Sequence, residues 1–189
     1  MKEQHGTSHG PDRYAVVGSP VAHSLSPVIH GLFAAQTGED IVYDKVEVSA
    51  DQFQAFVMEF ASGGGCGLNV TVPFKELAHD LCHQLDVSAA TAGAVNTLVL
   101  NGEHWTGYNT DGIGLVNDLC VRHGQTLHNR RILLLGAGGA ARGVLGPLLD
   151  KAPAQLWIVN RTASRAEELA RHFTNQAAAG GTHLLGIGL

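Results

Sequence analysis

The sequence predicts a two-lobed α/β protein, and three observations carry that prediction. Short apolar segments with strand character alternate with amphipathic helical segments along most of the chain. The stretch Ile132–Leu135 is apolar at every position and runs into a glycine-rich turn and a helix, as a buried parallel strand does. Glycine turns between Asp111 and Gly124 separate that unit from the one before it.

The elements follow in order. "YAVVG" (14–18) is a short buried strand closed by glycine. "SPVIHGLFAAQTG" reads as a helix with Ser26 as N-cap, Pro27 at the first helical position and Gly38 past its end. "IVYDKVEVS" alternates like a strand, and "ADQFQAFVMEFASGGG" is an amphipathic helix ending in glycines. "CGLNVTV" is the next strand and "KELAHDLCHQL" the next helix. "AGAVNTLVLNGEHWTGYNTD" gives two extended segments about a turn at Asn101-Gly102, and "GIGLVNDLCVRHG" a helix leading away. After Ile132–Leu135, expected to be covered on both faces, come a helix, the strand "QLWIVN" and the helix "SRAEELARHF". Ser164 and Glu167 in that helix have capping-box spacing.

Composition bounds the function. With 189 residues, 44% hydrophobic and 15% charged, the chain can bury a real core. A net charge of −5 lacks the basic excess of a broad nucleic-acid binder. Cys66, Cys82 and Cys120 lie far apart, with no C-x-x-C pair, and suit reduced thiols in a cytoplasmic protein. No apolar run is long enough to span a bilayer, and "MKEQHGTSHGPDR" lacks the apolar core of a signal peptide. Residues 1–12 are expected to be a disordered polar tail.

The glycine-rich turn is made by Gly136, Ala137, Gly138, Gly139, Ala140 and Ala141. It follows a strand and opens a helix, the context in which this pattern binds a dinucleotide. Gly136 allows the tight turn, Gly138 lets backbone N–H groups approach a pyrophosphate, and Ala141 lets the helix pack close to the sheet. The helix N-terminus adds free donors and a favourable dipole. The next strand runs into Asn160, Arg161, Thr162, Ala163, Ser164 and Arg165, with no carboxylate before Glu167. A site for NAD usually places an acid there, whereas Arg161, aided by Arg165, suits the 2′-phosphate of NADP.

Polar residues cluster elsewhere in the first lobe. Ser24 and Ser26 precede a helix, where hydroxyls and free N–H groups can hold a carboxylate. "NVTVPFK" projects Asn69 and Thr71 from one face of a strand toward Lys75, Asn96 lies at the mouth of another strand, and Asp111 sits at the lobe junction. Ligands of α/β sheets collect at such strand ends and between lobes.

The motifs "GSPVAHSLSPVIH", "GLNVTVPFK", "AGAVNT", "NTDG", "LLLGAGGAARGV" and "NRTASRAEELA" closely resemble, in order and spacing, those of the shikimate dehydrogenases. The resemblance runs from about Tyr14 to Phe173. It implies reversible reduction of 3-dehydroshikimate to shikimate by NADPH, in chorismate and aromatic amino-acid biosynthesis. It implies that Ser24 and Ser26 bind the substrate carboxylate, that Asn69, Thr71, Asn96 and Asp111 bind ring hydroxyls, and that Lys75 and Asp111 are the catalytic pair. The pair makes chemical sense. Hydride transfer to a ketone develops charge on oxygen, which an ammonium within hydrogen-bond reach both stabilises and protonates. On this reading the domains are the tail 1–12, a substrate-binding domain 13–111 and a partial Rossmann-type NADP-binding domain 112–189. No metal, nucleic acid or membrane is involved, and a homodimer is left open.

Three features stand apart. "HDLCH" places His79 and His83 at i and i+4 with Asp80 beside the first, but Asp replaces the glutamate of a zinc-protease helix and no third ligand is evident, so surface histidines are expected. His23 either bonds locally or packs, and Trp105 and Tyr108 either line the cleft or pack a hairpin. After Phe173 the text turns to "TNQAAAGGTHLLGIGL", and only the first half of a dinucleotide fold is legible. "THLLGIGL" suits a third strand with an exposed apolar edge. The expectation is therefore a C-terminally truncated member of the family. The alternatives are a quinate/shikimate dehydrogenase, or a non-catalytic remnant that binds shikimate or NADP.

Overall fold

The computed structural model describes residues 10–189. The disorder expected for residues 1–9 lies outside the described residues, and the last residue of the expected tail, Asp12, already belongs to the first strand. The first lobe contains β1 (Asp12–Gly18), α1 (Ser26–Thr37), β2 (Ile41–Glu47), α2 (Phe53–Ser62), β3 (Gly65–Val70), α3 (Lys75–Leu81), β4 (Gln84–Leu85), α4 (Val87–Ala92), β5 (Thr97–Asn101) and β6 (His104–Tyr108). Its six strands form one mixed sheet in the order β2-β1-β3-β5-β6-β4. β1 pairs in parallel with β2 and β3, and β5 runs antiparallel to β3 and β6.

The two-residue period of a strand sorts these residues by face. Ala15 and Val17 of β1, Leu68 and Val70 of β3, and Leu98 of β5 turn to one side. There they meet Phe53 and Val57 of α2, Ala78 of α3 and Ala89 of α4. Phe74, fully buried just before α3, stacks on Phe53 with ring centroids 4.7 Å apart. Such a pair contributes about 0.5–1.5 kcal/mol beyond its buried area. The opposite face carries Tyr14, Val16, Tyr43, Asn69 and Thr97, in register across four strands. α1 accompanies that face, with Leu25, Val28, Leu32 and Phe33 exposed along its length.

α5 (Asp111–Asn117) continues as a π-type turn, Asp118–Arg122, and leads to the second lobe. There β7 (Arg131–Leu135), α6 (Gly139–Leu149), β8 (Gln155–Asn160), α7 (Ala163–His172), α8 (Thr174–Ala179) and β9 (His183–Gly188) build a parallel sheet in the order β7-β8-β9. Leu145 and Leu149 of α6, Leu156 and Ile158 of β8, and Leu169 of α7 form its core with Phe173.

Several expectations are corrected. β7 is covered on one face, not both: Leu133 and Leu135 are 60% and 72% exposed. Ile132 and Leu134 pack on the core, and Leu133 and Leu135 point away from it. β3 ends at Val70 rather than Val72, shortly before Pro73, which has no N–H to give to a ladder. α3 ends at Leu81, and β4 and α4 follow where sequence periodicity gave no separate elements. α4 starts at a true cap, the Ser88 N–H donating to Asp86 Oδ1 at 2.9 Å, and stops at Gly93 with φ +62. Ser26 is the first residue of α1 rather than its cap, and Thr162 precedes α7, so the Ser164–Glu167 capping box does not form. The tail after Phe173 is ordered as α8 and β9, and β9 is indeed an edge strand.

Candidate functional site

A cavity of 340 Å³ opens at the C-terminal ends of β1 and β3. All seven residues expected to touch substrate line it: Ser24, Ser26, Asn69, Thr71, Lys75, Asn96 and Asp111. His23 and His30 also line it, as does the floor residue Val16. Two strand exits make the cleft and are tied together. The Ser19 N–H donates to the Val72 carbonyl and the Thr71 N–H to that of Val17, both at 2.9 Å. Gly18 has to be glycine at this crossing, because a Cβ there would run into the Thr71 side chain. Lys45 Nζ donates to the Ala22 carbonyl at 2.7 Å and closes the serine loop against β2. Within that loop the Ser26 N–H donates to Ser24 Oγ at 3.2 Å, and the two hydroxyls lie 3.0 Å apart at the start of α1.

Lys75 opens α3, held there by the buried Phe74 ring before it and by the Val95 N–H donating to its carbonyl at 2.8 Å. Its ammonium donates to Asp111 Oδ2 at 2.6 Å, and only 9% of the residue is exposed. This is the short, charge-assisted geometry of a held pair rather than of two solvated side chains. The carboxylate is fixed from the other side as well. Asn96 Nδ2 donates to Asp111 Oδ1 at 2.9 Å, and the Asp111 N–H donates to Asn109 Oδ1 at 3.1 Å. Asn109, 5% exposed, also donates to the Ala94 carbonyl at 2.9 Å. Sequence reading missed Asn109, although its place two residues before Asp111 is the spacing of an Asx turn. It also missed Thr97 and Tyr43, which bond to Asn69.

The glycine-rich turn lies against this pair. Gly136, at φ +106, occupies backbone space that side chains avoid, and its N–H donates to the Val159 carbonyl at 2.8 Å. Gly138 precedes α6 as a cap without a side chain. A Cβ at Gly136 or Gly138 would meet nothing within 4 Å, so the space beside the turn that opens α6 is free of protein atoms. That is the cradle a pyrophosphate needs, and the residues present fit one. Ala137 and, on α6, Ala141 are buried in the second-lobe core, while Ala140 is exposed. At the β8 exit, Asn160 Nδ2 donates to the Thr162 carbonyl at 3.0 Å. Arg161 and the residues Ser164 and Arg165 are exposed around this corner, with Ala163 opening α7.

Helix α6 touches both members of the ion pair through missing side chains. A Cβ at Gly139 would come within 2.9 Å of Lys75 Cβ, and one at Gly143 within 3.0 Å of Asp111 Oδ2 and 2.7 Å of Asn109 Oδ1. One turn of helix therefore separates the contact to lysine from the contact to aspartate.

The features set apart also resolve. His83 lies past the end of α3, its Nδ1 accepting from the Trp105 N–H at 3.2 Å, so His79 and His83 share no helix face. Trp105 is buried in the first-lobe core, and Tyr108 faces a separate 580 Å³ cavity behind the lobe junction. His23 faces the cleft. Among the described residues no helix is long and apolar enough to cross a membrane.

Comparison with known proteins bears on the same residues. Residues 16–98 match the family described as shikimate dehydrogenase substrate binding domain, and residues 118–182 match shikimate / quinate 5-dehydrogenase. The shikimate dehydrogenase (NADP(+)) of Hahella chejuensis is 54% identical over 162 residues, covering 86% of this chain and 60% of that protein. That of Cupriavidus necator is 49% identical over 178 residues, covering 94% and 60%. Among solved structures, shikimate 5-dehydrogenase from Thermus thermophilus in complex with shikimate superposes with a TM-score of 0.80 at 32% identity, covering 92% of this chain and 62% of that one. The Aquifex aeolicus shikimate dehydrogenase gives 0.82 at 34%, with 92% and 62% covered. The chain thus spans about 60% of the length of the curated relatives it matches. From its motifs, its fold and these likenesses, the chain belongs to the shikimate dehydrogenase family.

Proposed function

We propose that the cleft binds shikimate and that the chain serves NADP-dependent, reversible oxidation of shikimate to 3-dehydroshikimate. The observation that carries this reading is the Lys75–Asp111 pair at 2.6 Å, set in a cavity lined by the serines and amides that a hydroxylated carboxylate requires. Ser24 and Ser26, with the free N–H groups at the start of α1, hold the carboxylate. Asn69, Thr71 and Asn96 bond the ring hydroxyls. In the reducing direction Lys75 Nζ gives its proton to the carbonyl oxygen as charge develops there, and in the oxidising direction it takes the proton from the hydroxyl. Asp111 keeps the ammonium aimed and offsets its charge between turnovers.

NADP, when bound, supplies the nicotinamide that exchanges hydride with the substrate carbon. Gly136–Ala141 and the α6 N–H groups would hold its pyrophosphate, and Arg161 and Arg165, beside Asn160, Thr162, Ala163 and Ser164, its adenosine 2′-phosphate. The relatives named above as NADP(+) enzymes support this choice. Residues 13–111 form the substrate domain and 112–189 the NADP-binding part. We place the protein in the cytoplasm, with a homodimer as its assembly. The test is to mix purified chain, shikimate and NADP and follow absorbance at the NADPH band, alongside calorimetric titration with shikimate. Turnover supports the reading, shikimate binding without turnover assigns the chain a binding role, and the absence of binding removes shikimate.

A further inference from the structure

The face of the first sheet that looks into the cleft carries a continuous, one-directional line of hydrogen bonds. The Tyr43 hydroxyl, on β2, reaches over β1 and donates to Asn69 Oδ1 on β3. Asn69 Nδ2 donates to Thr97 Oγ1 at 3.3 Å, and these two residues are directly paired across β3 and β5. The Thr97 hydroxyl donates to Asn96 Oδ1 at 2.9 Å. Asn96 Nδ2 then donates to Asp111 Oδ1 at 2.9 Å, while Lys75 holds Oδ2. The line starts at a hydroxyl and ends on a carboxylate, so each donor polarises the next toward the negative charge.

Two of its members, Asn69 and Asn96, face the cleft as amides. An amide can exchange oxygen for nitrogen by a half-turn at almost no change in shape, so shape alone does not fix which group a ligand meets. Partners that only donate or only accept can fix it: the Thr110 N–H donates to Asn96 Oδ1 at 3.0 Å, and the Asp111 carboxylate accepts from Asn96 Nδ2. The Thr97 hydroxyl gives its one proton to that Asn96 oxygen and is left to accept from the Asn69 nitrogen. That turns the Asn69 oxygen to Tyr43, whose hydroxyl donates to it. We propose that Tyr43 and Thr97 are positioning residues that lock the Asn69 amide in one orientation, and so set the donor pattern it offers to the ligand's hydroxyls. The ligand part of this inference rests on the shikimate reading; the lock itself does not.

The surroundings of Tyr43 fit such a task. Its ring stacks on His30 with centroids 4.1 Å apart and planes 9° from parallel, which removes the freedom to swing away. Burial pushes its hydroxyl up to about 12, against a side-chain bond to Ser26 that works the other way. The phenol therefore stays protonated, and a donor, over the whole neutral range. Register supplies the rest, since Tyr43, Asn69 and Thr97 share a face only because β2, β1, β3 and β5 pair as they do.

The experiment uses the whole 189-residue chain and reads side-chain amide signals by ¹⁵N NMR, with and without shikimate. In Tyr43→Phe the Asn69 Nδ2 signals are expected to move, although Tyr43 bonds only the Asn69 oxygen, and Thr97→Val is expected to move them as well. Shikimate Kd should rise about three- to tenfold in each single variant, the loss of one neutral hydrogen bond. The double variant should lose no more than the worse single one, because both cut the same line. Thr97→Ser, which keeps the hydroxyl, should restore binding and signals, separating the lock from mere packing. Unchanged Asn69 signals in Tyr43→Phe, unchanged affinity, or losses that multiply in the double variant would overturn the lock. If the wild-type chain binds no shikimate, the shikimate reading fails, and the NMR comparison still decides the lock.

Discussion

Lys75 and Asp111 lie 36 residues apart in sequence and 2.6 Å apart in space, and the cost of drawing both charges out of water is offset by further bonds to the carboxylate and its backbone. Which residue types would meet was legible in the sequence, because seven polar side chains at strand ends point to one cleft and all seven line it. What was not legible is how they are held. Tyr43 and Thr97 bond to Asn69 and Asn109 accepts from the Asp111 backbone N–H, and strand pairing is not written in a residue's own neighbourhood. Two predictions belong at this scale. Arg161→Ala should weaken NADP at least about tenfold while leaving NAD nearly unaffected, since a charge-assisted fork to one phosphate accounts for the difference; equal losses in paired cofactor titrations would refute the 2′-phosphate role. Tyr43 should ionise near pH 12 in the folded chain rather than near 10, as a phenolate absorbance change that Tyr43→Phe removes. Because the folded chain favours the protonated phenol, this contribution to stability is complete below about pH 10 and fades as pH rises toward 12.

Helix α6 is the element on which the account turns. Its glycines at 139 and 143 let the backbone rest on Lys75 and Asp111, while its N-terminus faces the open cradle. The sequence reading assigned Gly139 to the phosphate turn and had no reason to notice Gly143, because the partner surface comes from the other lobe. Gly143→Ala would drive a Cβ onto Asn109 and Asp111, so turnover should fall at least tenfold, with a loss of about 1–3 kcal/mol in unfolding free energy. Kinetics and a denaturant titration on one preparation check both, and unaltered values would show that α6 does not set the pair. Phe74→Ala tests the neighbouring element. Removing a fully buried ring should cost about 3–5 kcal/mol and loosen the start of α3, and hence Lys75, without touching the cradle. Helix caps were the least legible feature. Serines in suitable places were read as caps for α1 and α7, but neither helix has a side-chain cap bond, and a true side-chain cap, Asp86, opens an unexpected helix.

Over the whole chain, alternation of strand and helix was enough to foresee two α/β units, each built on its own sheet. Sheet order was beyond it, since the sequence does not say that β5 runs antiparallel to β3 while β1 runs parallel. The second sheet leaves Leu133, Leu135 and Trp157 exposed beside the edge of β7, and apolar faces next to a strand edge promote association. Replacing Leu133 and Leu135 by lysine should lower concentration-dependent association in sedimentation runs while leaving shikimate affinity intact. On the proposed function, Lys75 moves the proton in a shikimate cleft. Comparing wild type and Lys75→Ala for shikimate-dependent NADP reduction and for shikimate Kd tests that role. Turnover should be lower by about 10²–10⁴-fold in the variant, with affinity changed far less. Near-normal turnover in Lys75→Ala, or a wild-type chain to which shikimate does not bind, would contradict it.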